Sequence, residues 1–184
     1  MNQENTNKAL FLDRDGVVNV DHGYVFKSEE FEFIDGVFST CKAFYDAGYK
    51  IIIVTNQSGI GRGLYTEADL NRLNEQISDH LKQTVGVDIA GFYHCPHHPT
   101  EARGVFLTQC DCRKPAAGMI IRAVREHGID VEASLLVGDK RSDIEAGRAA
   151  GVARLFQVVP PEMVVGKEAD VIPVTGLKHV PAML

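Results

Sequence analysis

The chain has 184 residues, a formal net charge of −6 and 45% apolar residues. That size suits one domain with a full core, spanning residues 1–184, and the acidic balance argues against a nucleic-acid partner. No apolar run reaches the roughly 20 residues that cross a bilayer, and Met1 to Lys8 is polar where a secretory signal has an apolar centre, so the expected protein is a cytoplasmic monomer with no membrane partner.

In chain order, Leu10-Phe11-Leu12 reads as a buried parallel strand, apolar throughout, that ends in the carboxylates Asp13 and Asp15. Gly16 permits a sharp exit from it. Asn19 to Ser28 is a polar loop too short for a cap domain, and Phe31-Glu32-Phe33 is a brief extended piece. Val37, Cys41, Phe44 and Tyr45 recur at helical spacing up to Gly48, with Cys41 a core residue. Lys50 to Val54 is a second strand, ending in Thr55-Asn56-Gln57-Ser58-Gly59. Gly59, Gly61 and Gly63 predict a flexible loop. Thr66 is placed as the N-cap of a long helix with the apolar face Leu70, Leu73, Ile77, Leu81 and Val85.

Phe92-Tyr93-His94 ends a third strand, and a loop runs from Cys95 to Lys114. A helix from about Ala116 to His127 is expected to turn Ile120, Ile121 and Val124 inward and to stop at Gly128. Ser134 to Val137 is a fourth strand, ending in Gly138-Asp139-Lys140, and Asp143 opens a helix that stops at Gly151. Leu155 to Val158 is another strand, and Asp170-Val171-Ile172 an edge strand. The alternation predicts an α/β fold with a Rossmann-like parallel sheet, helices on both faces and right-handed crossovers.

The polar groups collect at one edge of that sheet, where ligands bind in open α/β folds. Asp13 and Asp15, Thr55 and Asn56, and Asp139 and Asp143 follow three strands, and Lys114 opens a helix nearby. Several carboxylates with one lysine suggest Mg2+ and a phosphate, because Mg2+ takes hard oxygen ligands from a few carboxylates and from substrate phosphate.

The stretches Asp13-Arg14-Asp15-Gly16, Thr55-Asn56, Lys114 and Gly138-Asp139 with Asp143 resemble, in order and placement, the haloacid dehalogenase (HAD) superfamily of phosphotransferases. The resemblance implies an aspartyl-phosphate mechanism. Asp13 would be the nucleophile and Asp15 the general acid and base. Thr55 and Asn56 would donate to the phosphoryl oxygens, and Lys114 would neutralise charge there and hold Asp13 anionic. Mg2+ would be held by Asp13, Asp139 and the backbone carbonyl of Asp15. Asp143 would be an acid behind that site, and Lys140 would reach substrate. No insertion is large enough for the cap a phosphomutase needs to exclude water.

Cys95-Pro96-His97 and Cys110-Asp111-Cys112 supply three thiolates and an imidazole, a complete tetrahedral set for structural Zn2+. His94, His97 and His98 compete for the fourth position, and resemblance favours His97. Zinc would tie down the loop of about residues 95–112 and set the position of Arg113 and Lys114. Within the superfamily, Asp13 to Asn19, Thr55 to Gly59, the Cys-Pro-His-His-Pro stretch and Cys110 to Pro115 are similar to the D-glycero-D-manno-heptose 1,7-bisphosphate 7-phosphatases. That implies a sugar bisphosphate substrate, contacting Asp21, His22, Gly23, Tyr24, Thr55, Asn56, Gln57, Ser58, Arg113 and Lys114. Histidinol-phosphate phosphatase shares the aspartate motifs and a zinc loop. Arg113 favours the heptose branch, because a guanidinium grips a second phosphate bidentately. A non-enzymatic zinc-stabilised binding domain would have no use for the intact Asp13, Asp15, Lys114 and Asp139 set.

Overall fold

The structure is a computed structural model that describes residues 7–163 and 168–183. The polar start at Met1 lies, as far as residue 6, outside the described residues. Strands β1 (Ala9–Leu12), β2 (Lys50–Asn56), β3 (Ile89–Cys95), β4 (Leu135–Gly138), β5 (Arg154–Val158) and β6 (Val171–Val174) form one sheet in the order β3-β2-β1-β4-β5-β6. Every pairing is parallel. Helices α1 (Val37–Asp46), α2 (Ser58–Arg62), α3 (Glu67–Val85), α4 (Gly118–His127) and α5 (Arg141–Ala149) fill the crossovers.

β1, β4 and the Ile51 to Val54 run of β2 are free of polar side chains because both faces are covered. Leu10, Leu12, Ile51, Ile53, Leu135 and Val137 pack with Val37, Cys41 and Phe44 of α1 and with Leu73, Ile77 and Leu81 of α3. The alternate residues Ala9, Phe11, Ile52, Val54 and Leu136 pack with Met119, Ile120 and Ala123 of α4 and with Ile144 and Ala146 of α5. Two separate cores thus sandwich the sheet, as the α/β reading expects. Burial of each such side chain contributes about 1.5–3 kcal/mol. Cys41 is a core residue, and burial pushes its thiol up to about 12.

Thr66 caps α3 as expected: its Oγ1 accepts from the Asp69 N–H at 3.1 Å, while its own N–H donates to Asp69 Oδ2 at 2.8 Å. Four expectations are corrected. Residues 58–62 are helix α2, not a flexible loop. Gly59 and Gly61 are needed there for close packing, since a Cβ on Gly59 would lie 2.2 Å from the Tyr65 ring and one on Gly61 2.4 Å from the Pro96 carbonyl. Ile121 faces outward, 43% exposed, because adjacent residues on a helix point about 100° apart and Ile120 takes the inward position. The last helix opens at Arg141, with Asp143 in its first turn. The edge strand exists but begins at Val171, and a 3-10 segment, Leu177–Met183, follows and packs on α1, where the Thr40 hydroxyl donates to the Leu177 carbonyl at 3.1 Å.

β1 lies between β2 and β4, and the chain crosses from it in both directions. The carboxyl end of β1 is therefore a topological switch point, where a crevice opens.

Candidate active site

Asp13 follows β1 directly, and its N–H donates to the Val137 carbonyl at 3.0 Å. The ladder to β4 thus continues into this residue and fixes it over the crevice. Lys114 is buried against it. Lys114 Nζ donates to Asp13 Oδ1 at 2.7 Å and to the Val54 carbonyl at 2.9 Å, and pairs with Asp143 Oδ1 at 2.6 Å. All three ammonium protons are used. Asp143 is itself buried and its Oδ2 accepts from the Lys140 N–H at 2.9 Å, so one carboxylate caps α5 and faces Lys114.

Oxygens of Asp13, Asp139 and Asp143 lie within 4.8 Å of one another. Asp139 Oδ1 is buried and has no partner. Gly16 makes room for this group: its φ is +97°, and a Cβ there would lie 2.4 Å from Asp139 Oδ2. Burial pushes Asp13 up to about 7 against the pull of Lys114, with Asp143 and Asp139 adding to the rise. Asp139 is raised too, chiefly by burial. Burial opposes the Lys114 ammonium, but Asp13 and Asp143 outweigh it and hold the amine above the usual lysine range. Three carboxylates around one ammonium leave excess negative charge and an orphaned oxygen. A hard divalent cation fits that set.

Asp15 is hydrogen-bonded to Arg14, Asn19 and Gln57. Thr55 Oγ1 accepts from Gln57 Nε2 at 2.8 Å, which leaves its own proton to donate. Asn56 is tied to the backbone of Lys114: its Nδ2 donates to the carbonyl at 3.1 Å and its Oδ1 accepts from the N–H at 3.0 Å. A cavity of about 40 Å3 between these groups is lined by Asp13, Asp15, Thr55, Asn56, Lys114 and Lys140, with Ser142 and Asp143. A far larger hollow of about 1310 Å3 lies between α3, α4 and the open edge of β3, and none of the three clustered carboxylates borders it. The small cavity is bordered by Asp13, Asp143 and Lys114; the large one runs beside the edge strand to the cysteine loop, where His97 and Cys112 border it.

Of the other residues that the sequence suggested, Lys140 lines that small cavity, whereas Asp21, His22, Gly23, Tyr24, Gln57, Ser58 and Arg113 do not. Gln57 is buried at 2% exposure. Ser58 begins α2. The Gly23 N–H donates to Asp21 Oδ1 at 3.1 Å, and Lys140 Nζ reaches Asp21 Oδ2 at 3.3 Å, so loop 21–24 is joined to the start of α5. His22 is exposed and stands 3.4 Å from Glu32. Tyr24 is exposed with a left-handed φ of 53°, its ring 5.6 Å from the Arg62 guanidinium.

Cys95 Sγ, His97 Nδ1, Cys110 Sγ and Cys112 Sγ also lie within 4.8 Å of one another. The three sulfurs are 3.1–3.6 Å apart, and all are free thiols. Four such donors at the corners of a small tetrahedron fit Zn2+. The competing histidines are engaged elsewhere: His94 Nε2 is 3.2 Å from Glu67 Oε1, and His98 Nδ1 accepts from the Glu101 N–H at 3.0 Å. Arg113, just past the cluster, donates to the His97 carbonyl at 3.1 Å. Cys95 is the last residue of β3, pairs with Asn56 in register, and its carbonyl accepts from the Gln57 N–H at 2.8 Å.

Sequence reasoning passed over Arg14, Asn19 and Tyr65, and it gave Asp143 a lesser place than its contact with Lys114 warrants. A signal existed for Arg14, a charge inside a motif at the end of a buried strand; Tyr65 carried none.

A nucleophile-type aspartate at the switch point, met by a lysine and a carboxylate pair from the next strand's end, is the arrangement of a HAD-type phosphohydrolase, and a HAD-hydrolase-like family model matches residues 111–156. The chain is 48% identical over 144 residues to a D-glycero-beta-D-manno-heptose-1,7-bisphosphate 7-phosphatase of Yersinia pestis, covering 78% of this chain and 76% of the relative. It is 51% identical over 146 residues to a D-glycero-alpha-D-manno-heptose-1,7-bisphosphate 7-phosphatase of Burkholderia mallei, covering 79% and 77%. Among solved structures, the D,D-heptose 1,7-bisphosphate phosphatase of B. bronchiseptica, complexed with magnesium and phosphate, superposes with a TM-score of 0.80 at 28% identity over 96% of this chain and 97% of that one. The chain belongs to the family of D-glycero-D-manno-heptose-1,7-bisphosphate 7-phosphatases, phosphoric monoester hydrolases within the HAD superfamily.

Proposed function

We propose that this protein is a Mg2+-dependent phosphatase that removes the 7-phosphate of D-glycero-D-manno-heptose 1,7-bisphosphate, in ADP- or GDP-heptose synthesis for lipopolysaccharide or S-layer glycan. It works as a cytoplasmic monomer of one domain. The observation that carries the reading is the buried group of Asp13, Lys114, Asp139 and Asp143 beside Asp15 and Thr55, in a chain of this family. Mg2+ would be held by Asp13, Asp139 and the Asp15 carbonyl, with Asp143 beside them, and when bound it supplies charge neutralisation for the phosphoryl oxygens.

Asp13 attacks phosphorus through a carboxylate oxygen. The bond from phosphorus to the sugar oxygen breaks, and that oxygen takes the proton of Asp15 as it leaves. Asp15 then takes a proton from water as the water oxygen attacks the aspartyl-phosphate. The bond from Asp13 to phosphorus breaks, and inorganic phosphate and the free carboxylate result. Lys114 keeps Asp13 aimed and balances its charge. Thr55 donates to the phosphoryl group, while Asn56 holds the backbone of Lys114 and Gln57 backs Thr55 and Asp15. The rest of the sugar lies outside the small cavity, against Asp21, His22, Gly23, Tyr24, Ser58 and Lys140. Zn2+ on Cys95, His97, Cys110 and Cys112 would fix the loop that carries Arg113 to the second phosphate.

The test is kcat/KM for both anomers of the heptose bisphosphate against histidinol phosphate. A preference for either bisphosphate anomer is expected. A preference for histidinol phosphate would overturn the substrate assignment, and no Mg2+-dependent phosphate release from any of them would overturn the activity.

A further inference from the structure

We propose that Arg14, Asn19 and Gln57, with Tyr65 behind them, form a buried clamp that positions the Asp15 carboxyl for proton transfer. The proposal rests on the acid–base role given to Asp15 above. Arg14 is fully buried, 0% exposed and among the largest side chains so enclosed. Its guanidinium does not face solvent or the cavity. Nη2 donates to Asp15 Oδ1 at 2.9 Å, to Asp15 Oδ2 at 3.1 Å and to the Val25 carbonyl at 2.6 Å, and Nε donates to Oδ1 at 3.3 Å. Asn19 Nδ2 donates to Oδ1 at 3.1 Å while tethered to the Val20 carbonyl at 2.8 Å. Gln57 Nε2 donates to Oδ2 at 2.8 Å. The Tyr65 hydroxyl donates to Gln57 Oε1 and so orients that amide with its nitrogen toward Asp15. Tyr65 is in turn held by its ring, stacked on Phe26 at 4.9 Å.

Both carboxyl oxygens are therefore gripped by donors that are themselves anchored, while Asp15 also lines the small cavity with Asp13 and Thr55. A lone carboxylate at a strand end rotates freely about its last bonds. A general acid must hold its proton within hydrogen-bond reach of the leaving oxygen, and a small misplacement of a reacting group costs much of the rate. The clamp removes that freedom. Burying a guanidinium is costly unless it is paired; Arg14 is paired through Nε and Nη2 with one carboxylate and one carbonyl, while its Nη1 is buried without a hydrogen-bond partner. These are positioning residues: they act on the reaction only through Asp15.

The test separates proton delivery from everything else. In the first half-reaction an alkoxide needs a proton to leave, whereas p-nitrophenolate leaves without one. kcat/KM reports steps up to transfer of the phosphoryl group to Asp13, so it isolates this difference. Arg14→Lys, Asn19→Ala and Tyr65→Phe are measured with the heptose bisphosphate and with p-nitrophenyl phosphate, beside Asp15→Asn as reference. Loss of about ten- to a hundredfold on the sugar is expected for Arg14→Lys and Asn19→Ala, a part of the roughly 10²–10⁴ that general acid catalysis contributes, with less than about threefold loss on p-nitrophenyl phosphate. Tyr65→Phe, which keeps the stacked ring, should show the same pattern more weakly, and it and Asn19→Ala carry the test if Arg14→Lys does not fold. Equal loss on both substrates, or none on the sugar, overturns the clamp while Asp15→Asn still discriminates. If Asp15→Asn itself treats both substrates alike, the acid role fails, and the clamp fails with it.

Discussion

Asp13, proposed above as the nucleophile, carries two conflicting demands: attack on phosphorus requires it ionised, and the site buries it. Replacing it with asparagine should abolish phosphate release while leaving the fold intact, because an amide does not attack phosphorus as a carboxylate does; turnover near the starting level would remove Asp13 from the mechanism. Its titration gives a second expectation. With its carboxyl raised to about 7 in the folded, metal-free chain and near 3.8 when unfolded, the folded state holds the extra proton. Its contribution to stability is therefore complete below about pH 4 and is lost as pH rises to about 7. A cation binds the ionised form, so the rise in Tm on adding Mg2+ to chelator-treated protein should be larger at about pH 8 than at about pH 5.5. Equal rises at both would show that Asp13 is not where the cation gains its affinity. Among the contacts, Arg113 spends one donor on the His97 carbonyl and has others for a phosphate. Arg113→Ala should lower kcat/KM for the bisphosphate by about one to two decades, the worth of a charged hydrogen bond, and spare a monophosphate. Equal loss on both would assign it to the reacting group or to the loop.

At the scale of elements, the cysteine loop and β2 are one mechanical unit, since Cys95 belongs to the cluster and its carbonyl also accepts from the Gln57 N–H. Metal analysis should find about one Zn per chain in a closed four-ligand site. Cys110→Ser or Cys112→Ser should lower Tm and activity together; no zinc and no change in either property would refute a structural metal. The strands were legible because a strand covered on both faces has no choice but to be apolar. β1, β2 and β4 announce themselves in Leu10 to Leu12, Ile51 to Val54 and Leu135 to Val137. Helix α2 was not, because its glycines look like freedom in one dimension and are close approach in three: Tyr65 and Pro96 occupy the space their side chains would need. The Asp15 clamp was hidden for a related reason. Alternation along a strand would send Arg14 to the opposite side from its neighbours. The chain turns at once, with the Arg14 carbonyl accepting from the N–H groups of Val18 and Asn19, and the side chain folds back onto Asp15.

On the scale of the whole molecule, two cores on either side of one sheet make a rigid platform, and the chemistry sits where the chain reverses its direction of winding. The candidate carboxylates and lysine were legible in order along the chain, since each ends or follows a readable element. Their pairing was not, because it depends on which strand lies beside which: Lys114 reaches both Asp13 and Asp143 only because β1 separates β2 from β4. Among the described residues no helix is long and apolar enough to cross a membrane.

The cysteine cluster sits at the neck of a loop whose upper part is closed again by the His98–Leu107 bridge and whose tip, at Val105, is 83% exposed. A loop closed at its base by strong bonds can change length at its tip almost for free, since each doubling costs only about 0.6 kcal/mol in chain entropy. Grafting is therefore easiest there. A foreign segment inserted after Gly104 should leave Tm within a few degrees and Arg113 where it is, so the tip is a site at which this surface can be lengthened without retuning the carboxylates.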